Sequence, residues 1–293
     1  MSGLRVKQPG LLSLLHNRGR YGAHKLGLTS GGPLDFVAFD WANRLLGNDA
    51  NATCLEVSFG GLSLVAEVDT SFVITGAEAP CKLNGETIEQ WRSRSIKAGD
   101  ELEIGYATRG TRSYLAVGGG FDIAPSFGST STVPREKIGG LDGDKLQAGD
   151  FLPCTAARVP ACYLPQGERP QYGGETILRV VPGYQQAAFN AVQQWRFFNS
   201  EYRLTDRCDR MGFRLEGENV HSDIVGMLSE GICHGAIQIP ADGQPIVLMN
   251  DRQTIGGYPK IGSVIALDTS RLAQLTPGSS VRFQAISIEQ AHN

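Results

Sequence analysis

The chain has no C-x-x-C pair, and its six cysteines, at positions 54, 81, 154, 162, 208 and 233, follow no regular spacing. That excludes a dithiol redox motif and a zinc-finger ligand frame, and it reads as free thiols in a reducing compartment. The nearest approach to a zinc set is Cys233-His234 with His221, in which adjacent ligands diverge and no fourth partner has standard spacing, so no metal site is expected. Long apolar runs are missing too. None approaches the roughly 18 residues that cross a bilayer, and Leu11 to Leu15 gives way too soon to His16-Asn17-Arg18 to form a secretory segment. A soluble, cytoplasmic protein with no membrane partner is expected. Blocks of one charge are absent as well: 27 basic and 30 acidic residues are dispersed, for a net charge of -3, which disfavours nucleic acid as a partner. Neither G-x-S-x-G nor G-x-x-x-x-G-K-[ST] occurs, so a nucleophile elbow and a P-loop are both excluded.

What the chain does have is glycine, 37 in its 293 residues, set among short β-type segments. Strands are predicted over Ser71–Thr75, Glu101–Ile104, Arg112–Val117, Thr176–Val181, Ala236–Ile239, Pro245–Met249, Ser263–Leu267 and Val281–Ile286. Asn84-Gly85 between Lys82 and Ile88 suits a type I′ hairpin. Turn-then-strand units of this kind build sandwiches or barrels. Two helices are expected. One spans Phe36 to Leu46, capped by Asp35 and ended by Gly47, its aromatic content suggesting a plug over a barrel. The other runs from about Tyr184 to Gln194. The proline-rich stretch from Pro153 to Gly174 is the best domain boundary, giving domains 1–165 and 166–293.

Several polar clusters sit on glycine-rich backbone. Asp251-Arg252-Gln253-Thr254-Ile255-Gly256-Gly257-Tyr258-Pro259 follows the apolar run Ile246 to Met249, so a strand ends in charge, amide, hydroxyl and phenol. That is either a site or a barrel turn with satisfied polar groups. Arg112 to Val117 leads through Gly118-Gly119-Gly120 to Ser129, Thr130 and Ser131, which can surround an anion or make turns. His24 lies near the Asp35-capped helix start, a place that favours anions. Glu56 is a paired strand carboxylate or a site acid. Arg207, Arg210 and Arg214 alternate with acids, a pattern that favours local ion pairs over an anion clamp. Glu230 and His234 offer an acid/base pair, and Gln238 a cavity-facing amide.

Taken in order, these clusters resemble the KipA family, which includes the second component of allophanate hydrolase and the C component of 5-oxoprolinase, and the carboxyltransferase part of urea carboxylase. The resemblance rests on Gly32-Pro33-Leu34-Asp35, Ala42-Asn43, Leu55-Glu56, Arg112 to Val117, Gly128-Ser129, Arg210 to Gly217, Gly235 to Pro240 and Asp251 to Pro259. The chain departs from the family pattern at His16-Asn17, where relatives carry Gln-Asp, and at Gly143-Asp144-Lys145, where a Gly-Arg pair is usual. The resemblance implies a mainly β fold of two cyclophilin-like β-barrel domains. It also implies a complex with a KipI-like protein, the B component of 5-oxoprolinase, and with an A component, opening the 5-oxoproline lactam with ATP. ATP with Mg²⁺ is then shared with the partner, and the chain carries no biotin-acceptor Met-Lys segment. Substrate binding is assigned to Arg112, Tyr114, Ser129, Ser131, Gln253, Thr254 and Tyr258, and proton or metal-ion work to Asp251, Glu56 and His24. The alternatives are a biotin-dependent, carboxyltransferase-like component that works on urea or a related amide, and a non-catalytic KipA-type regulatory module.

Overall fold

The computed structural model describes residues 2–224 and 226–292. The fold is mainly β. Two compact units divide the chain, one made of Met1–Ala23 with Ser30–Tyr172 and the other of His24–Thr29 with Gly173–Asn293.

In the first unit a six-stranded sheet has the order Phe151–Pro153, Gly3–Pro9, Leu62–Ala66, Glu101–Ile104, Cys81–Leu83, Glu86–Ile88. A five-stranded sheet has the order Leu12–His16, Cys54–Ser58, Arg109–Val117, Thr70–Glu78, Arg94–Ile96. Side chains alternate across a strand, so each strand of the smaller sheet serves two faces. Leu55, Val57, Phe72, Ile74, Leu115 and Val117 meet Leu4, Val6, Leu64 and Leu102 in one core. Cys54, Val73, Tyr114 and Ala116 point the other way and pack under Ala38, Phe39, Ala42 and Leu45 of the helix Phe36–Leu45. The helix expected as a plug therefore covers the second face of this sheet. Its start is the one read from the sequence and its end falls at Leu45, one residue before the expected Leu46: the Asp35 carboxylate accepts from the Ala38 N–H at 3.0 Å, and Gly47 takes φ 65°. The hairpin at Asn84-Gly85 has φ 52° and 82°, the pair of positive angles that a type I′ turn requires.

The second unit is a closed barrel in the order Thr176–Pro182, Lys260–Val264, Ala236–Gln238, Ile246–Leu248, Gly212–Glu216, Glu201–Cys208, Ser280–Ala285. Its closing ladder, Thr176–Pro182 with Ser280–Ala285, is parallel, and its other ladders are antiparallel. The helix Ala191–Asn199 lays Phe197 against Phe283 of the last strand, with ring centroids 4.4 Å apart.

Two predicted elements are corrected. The second helix starts at Ala191 rather than near Tyr184, because the Asn190 side chain accepts from the N–H groups of Val192 and Gln193. Gln186–Ala188 forms only a 3₁₀ turn. The strand predicted over Ser263–Leu267 ends at Val264, and Ala266–Leu272 is a helix. A short apolar run does not reveal its own period. Here Asp268, fully buried in that helix, receives a guanidinium fork from Arg179 at 2.7 and 2.9 Å, a pairing between positions 89 residues apart.

Candidate functional site

Strand register builds a cavity on the second unit. Gly212 pairs with Leu248, Arg214 with Ile246, and Ile246 with Gln238, so these side chains share one face. The intervening Phe213, Val247 and Ile237 are buried on the opposite face, in the barrel core. Over the first face lies a two-stranded ribbon, Glu230–Gly231 with Ile255–Gly256. The cavity on this face has a volume of about 490 Å³ and is lined by strand residues, among them Gly212, Arg214, Gln238, Ile246 and Leu248, and by Ile232, Arg252, Gln253 and Tyr258 from the segments flanking the ribbon, with Asp206 to Asp209 and Met211 at its side. An apolar floor with a few converging polar groups is the usual character of a small-molecule site.

Gly256 allows the ribbon to lie this close. It does not adopt a positive φ; instead, a Cβ there would stand 2.5 Å from Ile232 Cδ1 and 2.8 Å from Gln238 Nε2. The ribbon is tied down by Glu230, which accepts from Lys260 Nζ and from Gln185 Nε2 at 2.7 Å. These bonds hold the Glu230 carboxyl below its ordinary range, Lys260 contributing most. Glu230 and His234, expected as an acid/base pair, have separate partners, since His234 Nε2 lies 3.1 Å from Asn250 Oδ1.

Arg252 is buried and binds the carbonyls of Ile232 and Met249 at 3.2 and 3.3 Å. Burial first, and the positive charge of Arg252 second, push the His234 imidazole down to about 4, and the same two causes lower His24. An unfolded histidine protonates near pH 6.5 while folded His234 does so near 4, so acid favours the unfolded chain in that window. Stability is full above about pH 6.5 and falls as the pH approaches 4, with a loss on the order of 2–3 kcal/mol. Urea melts at pH 7 and 4.5 should show this slope, and His234→Gln should flatten it.

Asp251 does not line the cavity. Its carboxylate accepts a fork from Arg210, Nε at 2.9 Å and Nη2 at 3.1 Å, with both side chains buried. The expected local ion pairs around Arg210 are thus replaced by a distant one. Asp209 instead accepts from the N–H groups of Met211 and Gly212. Gln253 and Tyr258 reach the cavity, whereas the Thr254 carbonyl takes the Ile232 N–H in the ribbon.

His24, expected beside the Asp35-capped helix start, lies instead in a 3₁₀ turn that belongs to the second unit, where it feels the charge of Arg252. The remaining candidates lie in the first unit, in two places. Beneath the helix start, Tyr114 Oη donates to Glu56 Oε2 at 2.6 Å and accepts from the Asp35 N–H at 2.8 Å. Glu56 Oε2 also takes the Leu34 N–H at 2.9 Å, and Arg112 Nε lies 4.0 Å from Glu56 Oε1. Tyr172 Oη donates to Asp35 at 2.9 Å. Burial, and then the negative charges of Glu56 and Asp35, hold the Tyr114 phenol far above its ordinary range, so it serves as a proton donor. Ser129 and Ser131 are fully buried elsewhere, and their hydroxyls donate to Asn17 Oδ1 at 2.6 and 2.9 Å. The residue that departs from the family pattern, Asn17, is thus the acceptor at the centre of that cluster.

Sequence reasoning missed Arg252 as the hub of the cavity wall, although it stands inside the loop singled out. Among the described residues, no group of three or more His, Cys, Asp or Glu is placed to hold a metal ion. Nor, among the described residues, is any helix long and apolar enough to cross a membrane.

Comparison with known proteins places this geometry in a family. Residues 26–285 match the carboxyltransferase domain, subdomain A and B. The chain is 38% identical to the 5-oxoprolinase C subunit of Escherichia coli over 289 residues, 98% of this chain and 93% of that protein. It is 35% identical to the protein of the same name from Haemophilus influenzae, over 94% of this chain and 89% of that one. Among solved structures, the urea amidolyase of K. lactis superposes with a TM-score of 0.92 at 26% identity, covering 99% of this chain but only 19% of that much longer one. By sequence match and by fold, the chain belongs to the carboxyltransferase-domain family, subdomains A and B.

Proposed function

We propose that the chain is the C component of an ATP-dependent 5-oxoprolinase, opening a cyclic amide to glutamate together with a KipI-like B component and an A component. The observation that carries this reading is end-to-end likeness to two proteins named as the C component of 5-oxoprolinase, covering 93% and 89% of their lengths. A lactam carbonyl is a poor electrophile because the ring nitrogen donates into it, and transfer of the terminal phosphoryl group of ATP to its oxygen is the activation that lets water attack.

The chain has no P-loop, and the two carboxylates offered for Mg²⁺ are engaged, Asp251 by Arg210 and Glu56 by Tyr114 and the Leu34 N–H. We therefore assign nucleotide and Mg²⁺ to the partner proteins and substrate positioning to this chain. Gln238, Gln253 and Tyr258 offer amide and phenol groups to a small polar ring over an apolar floor. Arg252 fixes the wall behind them.

Glutamate release from 5-oxoproline and ATP tests the reading, comparing the purified chain with the chain plus its B-type and A-type partners. Turnover only in the complete mixture is expected, and a demonstrably assembled but inactive mixture would sink the proposal. The structural likeness to urea amidolyase favours a second reading, a carboxyltransferase-like component. Strict dependence on bicarbonate and a biotinylated protein would select it.

A further inference from the structure

The cavity on the second unit carries two cations that the fold does not use. Of the arginines at 207, 210 and 214, Arg210 is committed to Asp251. Among the described residues, the guanidinium groups of Arg207 and Arg214 have neither an ion pair nor a side-chain hydrogen bond, yet both line the cavity. Each also lines an adjoining hollow of about 360 Å³, so they stand where the two meet. Four acids stand nearby and none pairs with either arginine: Asp209 accepts from backbone N–H groups, Asp242 accepts from the Gln244 N–H, and Asp206 and Glu216 form no ion pair with Arg207 or Arg214. Local alternation with acids would predict that these charges neutralise one another, and among the described residues they do not. Below them the surface is apolar, with Ile246 and Leu248 at its floor and the Gln238 amide at its edge.

We propose that Arg207 and Arg214 form a carboxylate-recognition subsite, which selects a small cyclic amide bearing a carboxylate over a neutral amide such as urea. The proposal rests on the reading above and adds to it the residues that choose the substrate. Guanidinium matches carboxylate geometry with paired N–H donors. A five-membered lactam carboxylate presents the complementary surfaces: an anion for the arginines, ring methylenes for Ile246 and Leu248, and an amide for Gln238. Urea offers no anion, so it leaves both cations unanswered.

The test uses the intact chain, alone and in the assembled mixture, with L-5-oxoproline, 2-pyrrolidinone (the same ring without the carboxylate) and inorganic phosphate as probes. Calorimetry on the chain should show saturable 5-oxoproline binding, no competition by pyrrolidinone at equal concentration, and loss of binding in Arg207→Ala/Arg214→Ala. In the assembled mixture each single substitution should raise KM for 5-oxoproline about tenfold or more with little change in kcat. Both side chains are exposed, so melting temperatures should stay unchanged, which separates lost recognition from misfolding. Arg214→Lys should recover part of the effect by restoring charge without the fork.

The two readings fail separately. Turnover with an unchanged KM in the double variant overturns the arginine assignment and leaves the 5-oxoprolinase reading standing. Carboxylate binding that the double variant loses, in a complex without turnover, supports the subsite and sinks the activity. Neither binding nor turnover overturns both, and displacement of 5-oxoproline by phosphate at equal concentration would show a general oxyanion site and overturn carboxylate selectivity.

Discussion

Asp251→Asn is expected to destabilise the second unit by about 3–5 kcal/mol, the cost of leaving one member of a buried ion pair without its partner. Arg210 and Asp251 meet through two bonds, and their side chains are only 8% and 6% exposed. An asparagine there presents an amide –NH₂ to a guanidinium that has only donors, so one bond becomes a repulsive contact and the charge stays uncompensated. The backbone follows, because the Asp251 N–H donates to the Arg210 carbonyl at 2.8 Å and the next residues carry Arg252 and Gln253 into the cavity wall. Urea unfolding of the full chain measures the loss. Arg210→Met with Asp251→Leu should restore most of it, since an apolar pair of similar volume needs no desolvated charge. A loss below about 1 kcal/mol with abolished turnover would contradict this structural role and return Asp251 to the catalytic one read from the sequence.

Tyr114→Phe should cost the first unit about 2–4 kcal/mol, through two buried groups each deprived of a partner. The hydroxyl stands between the Glu56 carboxylate and the Asp35 N–H, and all three residues are at most 1% exposed. Phenylalanine fills the ring's space but takes the phenol acceptor from that N–H and one of two donors from Glu56 Oε2, which keeps the Leu34 N–H. Asp35 also caps the helix Phe36–Leu45 and accepts from Tyr172, so the loss should spread to the helix start. Glu56→Gln should be at least as severe because it removes the negative charge facing the buried Arg112. Far-UV circular dichroism during denaturation, read beside hydrogen exchange at Ala38 and Phe39, would locate the damage. Unchanged protection at both amides would refute the coupling.

What the sequence shows well is local chemistry. Asp35 and Gly47 mark a helix because capping uses atoms within a few residues, and Asn84-Gly85 marks a hairpin because positive φ is a property of those residues themselves. The site was legible as a loop, Asp251 to Pro259, but its members' tasks were not. Arg210 passes over the acids beside it for one 41 positions away, and Ser131 donates to Asn17 across 114. Such choices are made by strand register, which no spacing rule carries. His24 shows the same limit from the other side: six residues, His24–Thr29, belong to the second unit although the sequence around them belongs to the first.

The parallel ladder that closes the barrel sets an order on biosynthesis. Thr176–Pro182 is made first of the seven barrel strands and its two neighbours, Lys260–Val264 and Ser280–Ala285, last, so the opening strand lacks both until about eighty further residues have been made and one of them until about a hundred. During that interval the half-made barrel has two unpaired edges, the condition that invites pairing with other chains. Closing so long a loop also slows the final step, because its entropy must be lost before the ladder forms. A nascent chain halted before Ser280 would hold every residue that lines the cavity and still lack the strand that makes the barrel a closed surface.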